Sequence, residues 1–152
     1  MSQVACAPVS GLVVPLAKVQ DPVFSTGMVG EGLAIEPDAA GLVRVLSPLA
    51  GKIAASQPHA FAVQDESRNA VLVHLGLDTV KLNGAPYRVL AAKDRTVAAL
   101  EPVAEWDVAQ TLTSGLDCTV IVTALQVANP NEKVIQLADG HVEAGEPLFA
   151  IR

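Results

Sequence analysis

Residues 57–84 read QPHAFAVQDESRNAVLVHLGLDTVKLNG. The first apolar run, His59-Ala60-Phe61-Ala62-Val63, opens on a histidine and has the alternation of a half-buried strand. The second, Ala70-Val71-Leu72-Val73-His74-Leu75, is rich in β-branched and aliphatic side chains and nearly closes on another histidine. Gln64-Asp65-Glu66-Ser67-Arg68-Asn69 between them is polar throughout and reads as a hairpin connection. Folding the two runs back over that connection sets His59 and His74 side by side.

Two adjacent imidazoles matter chemically. Free histidine has a pKa of about 6.5, so most of it is neutral and nucleophilic near pH 7. A second imidazole can hold the first in one tautomer, donate to an anion or share a metal. Histidine is also only intermediate in its preference for burial. Taken singly, each is equally well a hydrogen-bonded strand residue with no chemistry, and the words around them separate the two readings.

Outward from the hairpin the strand pattern recurs. Residues 4–8, 11–16 and 19 read as short strands broken by Pro8, Gly11 and Pro15. Leu33-Ala34-Ile35 follows Gly30 and Gly32, which suit a close backbone approach. Asp38-Ala39-Ala40-Gly41 is a turn, and strands follow over 42–46 and 51–55. Beyond Lys81-Leu82-Asn83-Gly84, strands are expected over 87–92, 96–100, 118–125, 133–137 and 147–151, with 101–112 the single helical candidate. Many short strands separated by glycine and proline turns predict an all-β fold, a compact antiparallel sandwich or barrel with at most one or two short helices. The turns Ala7-Pro8-Val9-Ser10-Gly11 and Ser47-Pro48-Leu49-Ala50-Gly51 echo one another, and each precedes a strand.

Residues 1–152 are expected to form one domain with a proper core. Hydrophobic residues make up 51% and charged ones 17%, which excludes a disordered tail. Aromatics are only 3%, so small aliphatic side chains must build the core around Phe24, Phe61, Tyr87, Trp106 and Phe149. No apolar run approaches the ~18 residues of a membrane span. Met1-Ser2-Gln3-Val4-Ala5 lacks the layout of a signal peptide, so a cytoplasmic protein without a membrane anchor is expected. A net charge of −6 disfavours nucleic acid and suits a basic protein partner. Cys6 and Cys118 read as buried free thiols.

PHAFAV followed by VLVHLGLDTVKLNG resembles the signature of the glucose-type enzyme IIA domain of the bacterial sugar phosphotransferase system. The resemblance extends to Asp21-Pro22-Val23-Phe24, to the block from Met28 to Pro37, to Ser47-Pro48-Leu49-Ala50-Gly51 and to Val142-Glu143-Ala144-Gly145-Glu146-Pro147-Leu148. It implies an antiparallel β-sandwich and a phosphoryl carrier. His74 would be phosphorylated by the histidine phosphocarrier protein and would pass the group to a cysteine of a sugar-specific IIB domain. His59 would assist by hydrogen-bonding the phosphoryl oxygens. The resemblance places Val23, Phe24, Met28, Val29 and Phe61 in an apolar collar that docks partners. Gly76 would clear space for a donor or a partner backbone. Asp21 and Asp78 would receive cationic side chains at the rim, because a carboxylate about 4 Å from a phosphoryl group is repelled by roughly 4 kcal/mol at an effective dielectric of 20. The resemblance implies no required cofactor; family members also bind regulatory protein partners, sometimes with zinc shared between the two histidines and a partner carboxylate.

Two other readings stand beside this one. A zinc-dependent hydrolase would use His59, His74 and a carboxylate such as Asp78 as ligands, but no H-x-H or H-E-x-x-H pair is present. A regulatory interaction module would keep the fold without transfer. His141, in Asp139-Gly140-His141-Val142, reads as an exposed turn residue. The chain departs from the family at Gln57, where a threonine is common, in a short connection from Gly51 to His59, at Gly84-Ala85-Pro86-Tyr87 in place of G-x-G-F, and at Val97-Ala98-Ala99-Leu100-Glu101 in place of a glycine-rich stretch.

Overall fold

The structure, a computed structural model, describes residues 3–38 and 41–152. The middle of the expected turn at 38–41 lies outside them. Strand β1 (Gln3–Cys6), β2 (Gly11–Pro15), β3 (Glu31–Pro37), β4 (Leu42–Leu46), β5 (Gly51–Gln57), β6 (Ala60–Gln64) and β7 (Ala70–Leu75) make up the first half. The second half supplies β8 (Tyr87–Val89), β9 (Thr96–Val97), β10 (Pro102–Asp107), β11 (Val120–Gln126), β12 (Val134–Gln136), β13 (His141–Val142) and β14 (Pro147–Ile151). Eight of them form one sheet in the order β13-β2-β3-β11-β7-β6-β5-β9, while β1-β14-β12 and β4-β10-β8 form two smaller sheets. Neighbouring strands pair antiparallel. The all-β expectation is met, with two short helices, α1 (Pro22–Ser25) and α2 (Val108–Thr113).

Alternation along the strands decides what each face of the large sheet buries. Leu33, Ile35, Val71, Val73, Val120 and Val122 point inward, where they meet Phe149 and Ile151 from one small sheet and Val45 and Trp106 from the other. The opposite face carries a second, smaller cluster: Leu16, Val19, Phe24, Ala34, Leu77 and Ile121. That second face holds the site.

The helical expectation for 101–112 is corrected. Residues 102–107 form β10, paired with β4 on one side and β8 on the other, and Val103 and Trp106 are buried in the core. Only Val108–Thr113 is helical, started by Asp107, whose side chain accepts from the Gln110 N–H at 3.1 Å. Tertiary pairing on both edges overrode local propensity there. The strands expected over 87–92 and 96–100 shorten to Tyr87–Val89 and Thr96–Val97. His141 lies in β13, not in a turn, and Cys118 is a buried free thiol while Cys6 is only half-buried.

Candidate functional site

Register sets the histidines. Val14, Ala34, Ile121, His74 and Ala60 are successive partners across β2, β3, β11, β7 and β6, so they form one row on the outer face of the large sheet. The row is built from small and aliphatic side chains, and His74 stands in it as the polar member. His59 is not the first residue of its strand. Gln57 pairs with Ala60, which leaves Pro58 and His59 as a two-residue hairpin turn. The short connection noted from Gly51 to His59 is strand β5 followed by this tight turn. The His59 carbonyl accepts from the Leu75 N–H at 2.8 Å, locking the turn beside His74.

The two rings lie 5.0 Å apart, centroid to centroid, in a T-shaped arrangement at 77°. Phe24 covers another side of His74 at 5.1 Å and 56°. It is delivered by α1, whose first turn is capped by Asp21 accepting from the Val23 N–H at 3.0 Å, with Pro22 at the first helical position.

One hydrogen bond fixes the tautomer. Nδ1 of His74 lies 2.6 Å from the Gly76 carbonyl oxygen. A carbonyl only accepts, so Nδ1 carries the proton and Nε2 of the neutral ring keeps its lone pair. Burial holds the His74 pKa below the ordinary histidine value; the Gly76 hydrogen bond opposes it, His59 adds to the lowering, and Asp21 and Asp78 oppose it. Burial lowers His59 as well.

The expected reason for Gly76 is corrected. Gly76 is buried, at φ +87°, and a Cβ there would meet Cγ2 of Thr79 at 2.5 Å and the Asp117 carbonyl at 2.9 Å. It makes room for the protein's own loop, not for an approaching partner. Phe61 is corrected too: it pairs with Val73 on the inward face and is 3% exposed, so it belongs to the core and not to an exposed collar. Met28 and Val23 are 78% and 48% exposed, and Val29 is half-buried against the second cluster. Asp78 is exposed in a left-handed conformation at φ +59°, and Asp21 is half-buried at its cap.

Sequence reading missed Val80, 59% exposed, which joins His59, Ala60 and Leu72 around a shallow depression of about 380 Å³. The family resemblance offers a backbone carbonyl or the Thr79 hydroxyl to fix Nδ1 of His74; the carbonyl is that of Gly76, Thr79 binds the Leu75 carbonyl instead, and Tyr87, which sequence reading missed, binds there too. The signal was there for Tyr87, in the tyrosine that replaces the phenylalanine of G-x-G-F. A cavity of about 620 Å³ lies at the far end of the β6–β7 hairpin around Asp65 and Arg68, away from the histidines. Among the described residues no three His, Cys, Asp or Glu side chains converge as a metal site, and no helix is long and apolar enough to cross a membrane.

A family model described as the phosphoenolpyruvate-dependent sugar phosphotransferase system, EIIA 1, matches residues 3–130. The glucose-specific EIICBA component of Streptococcus pneumoniae serotype 4 is 39% identical over 114 residues, covering 74% of this chain and 15% of that protein. The β-glucoside-specific EIIBCA component of Bacillus subtilis is 32% identical over 149 residues, 95% of this chain and 24% of that protein. The N-acetylglucosamine-specific EIICBA component of Escherichia coli is 32% identical over 149 residues, 96% and 22% respectively. The chain thus spans about a quarter or less of the length of these relatives. Among solved structures, glucose permease IIA from Mycoplasma capricolum superposes with a TM-score of 0.88 at 26% identity, over 99% of this chain and 96% of that one.

Proposed function

The chain belongs to the EIIA 1 family of the phosphoenolpyruvate-dependent sugar phosphotransferase system, and from that premise we propose that His74 is its phosphoryl-carrying residue. Nε2 attacks the phosphorus of a phosphohistidine on the histidine phosphocarrier protein. The donor N–P bond breaks, the Nε2–P bond forms, and the donor imidazole leaves. The His74 ring then carries a positive charge, because Nδ1 keeps its proton on the Gly76 carbonyl. A protonated ring is the better leaving group for the second step, in which a cysteine thiolate of a IIB domain takes the phosphoryl group and returns the electron pair to Nε2. The names EIICBA and EIIBCA place A and B parts together in the relatives, which supports a IIB acceptor.

The observation that carries the proposal is the 2.6 Å bond from Nδ1 to Gly76, which directs Nε2 as the free nitrogen beside His59. His59, neutral at pH 7 through burial, donates one N–H to the incoming oxygens, and the dianion favours its second proton. Incubation with labelled phosphorylated phosphocarrier should yield an acid-labile, base-stable phosphoprotein that disappears in His74→Ala. A His59→Gln protein should accept the label and fail to pass it on. Label retained in His74→Ala sinks the assignment.

A zinc role is narrower. The paired histidines supply two nitrogens, and a catalytic zinc takes three protein ligands. The described residues offer no third, which disfavours the hydrolase. A zinc on the two histidines would need a further ligand from outside the described residues, such as a carboxylate of a regulatory partner.

A further inference from the structure

The loop that carries the Gly76 carbonyl is fixed from several directions, and one of its anchors comes from another sheet. Leu75 lies between His74 and Gly76, and all its backbone groups are engaged. Its N–H goes to the His59 carbonyl, and its carbonyl accepts two hydroxyls, Tyr87 at 2.7 Å and Thr79 Oγ1 at 2.8 Å. The next two N–H groups are taken as well, Gly76 by the Thr119 carbonyl at 3.1 Å and Leu77 by that of Asp117 at 2.9 Å. The Gly76 carbonyl is left to face His74. Tyr87 reaches this loop from β8, in the small sheet β4-β10-β8. Its ring stacks on Trp106 at 6.0 Å and 18°, and the Trp106 indole N–H is itself held by Thr111 Oγ1 at 2.9 Å. A phenylalanine would fill the same space on Trp106 and leave one lone pair of the Leu75 carbonyl unmet.

We propose that Tyr87 is a positioning residue for the phosphoryl-accepting nitrogen: with Thr79 it holds the Leu75 carbonyl, keeps the Gly76 carbonyl on Nδ1 of His74, and so leaves Nε2 free. The inference rests on the reading of His74 as the phosphoryl carrier. Burial raises the Tyr87 pKa, so the phenol stays protonated and able to donate at working pH. The hydroxyl touches neither the reacting ring nor a phosphoryl group, and it acts by restricting the Leu75 carbonyl, one residue before the carbonyl that faces His74.

The test uses the full chain with ¹⁵N-labelled histidine. Wild-type protein should show one protonated-type nitrogen, Nδ1, and one unprotonated-type nitrogen, Nε2, for His74. In Tyr87→Phe both signals should move toward a tautomer average, and the kcat for phosphoryl acceptance should fall roughly tenfold, the loss of one hydrogen bond, with KM for the phosphocarrier unchanged. Wild-type nitrogen signals and kcat in Tyr87→Phe overturn the proposal. Should that variant not fold, Thr79→Val against Thr79→Ser decides: tautomer averaging in the first and not in the second supports anchoring through the Leu75 carbonyl, and wild-type signals in both overturn it. A tautomer that responds as expected in a protein that accepts no phosphoryl group refutes the proposed function, and with it any role of Tyr87 in transfer, while the anchoring of the His74 tautomer through the Leu75 carbonyl stands.

Discussion

Gly76→Ala tests the geometry of the site without touching either histidine. The backbone there has φ +87°, where an L side chain costs about 1–2 kcal/mol. The new methyl would also lie 2.5 Å from Cγ2 of Thr79 and 2.9 Å from the Asp117 carbonyl, an overpacking worth about 1–3 kcal/mol. The smaller unfolded-state entropy of alanine returns roughly 0.4–1 kcal/mol. The net loss is then roughly 1–4.6 kcal/mol, less than the 5–15 kcal/mol typical of a domain, so the variant should fold. Gly115→Ala is the control: its φ of +78° is similar, but nothing lies within 4 Å of the added Cβ, so only the backbone cost applies. Urea unfolding of both proteins should place the Gly76→Ala midpoint well below that of Gly115→Ala. The Gly76 carbonyl should also shift from Nδ1, and since that bond raises the His74 pKa, the value should fall further in an NMR titration. Equal midpoints for the two variants, with His74 unchanged, would refute the argument that this glycine is required by the loop.

Phe24→Ala removes a buried ring from the second cluster and should cost about 3 kcal/mol, the low end for such truncations because the cluster is small. It also relieves the burial that lowers the His74 pKa, so that value should rise toward 6.5 in a ¹H NMR titration. Asp21→Asn keeps the α1 cap, so stability should change by less than about 0.5 kcal/mol, while loss of the nearby negative charge lowers the His74 pKa further. His59 and His74 have depressed folded pKa values, so between those values and about 6.5 the unfolded chain binds more protons, and stability should rise with pH across that window and be lost as pH falls through it. His74→Gln should flatten this slope in denaturant titrations. His141 has the opposite sign: the Asp38 hydrogen bond raises its folded pKa, its contribution is full below about 6.5 and is lost as pH rises through the folded value, and His141→Gln should remove it.

The hairpin was legible because its two signals are local. Apolar alternation and a polar connection gave β6 and β7, and pairing then had to bring His59 near His74. Strands β4 and β14 were legible for the same reason, matching 42–46 and 147–151. Strand β10 was not, since Pro102-Val103-Ala104-Glu105-Trp106-Asp107 is ambiguous in period and its state is decided by β4 and β8, distant in sequence. Asp107 and Asp21-Pro22 were usable helix-start signals that went unread. At the site, sequence could mark Gly76 as special but not say why, because its crowding comes from Asp117, whose proximity only the fold creates. Phe61 was misplaced by family analogy, although alternation from Val63 already assigned it to the core face.

Burial and the Gly76 hydrogen bond act on His74 in opposite senses, and both are needed. Burial alone keeps the ring neutral but leaves either nitrogen free to hold the proton. The carbonyl alone selects Nδ1 as donor but, by favouring the charged form, pulls toward an imidazolium with no lone pair to offer. Desolvation is the larger of the two, so the net pKa is lowered while the tautomer stays fixed. At neutral pH the ground state of His74 is then already the state a phosphoryl acceptor requires, neutral with its electron pair on Nε2. In the proposed role, no proton has to leave before attack. That division of labour assigns Phe24 and the small residues of the row to the charge state, and assigns Gly76, with the Leu75 carbonyl anchored behind it, to the choice of nitrogen.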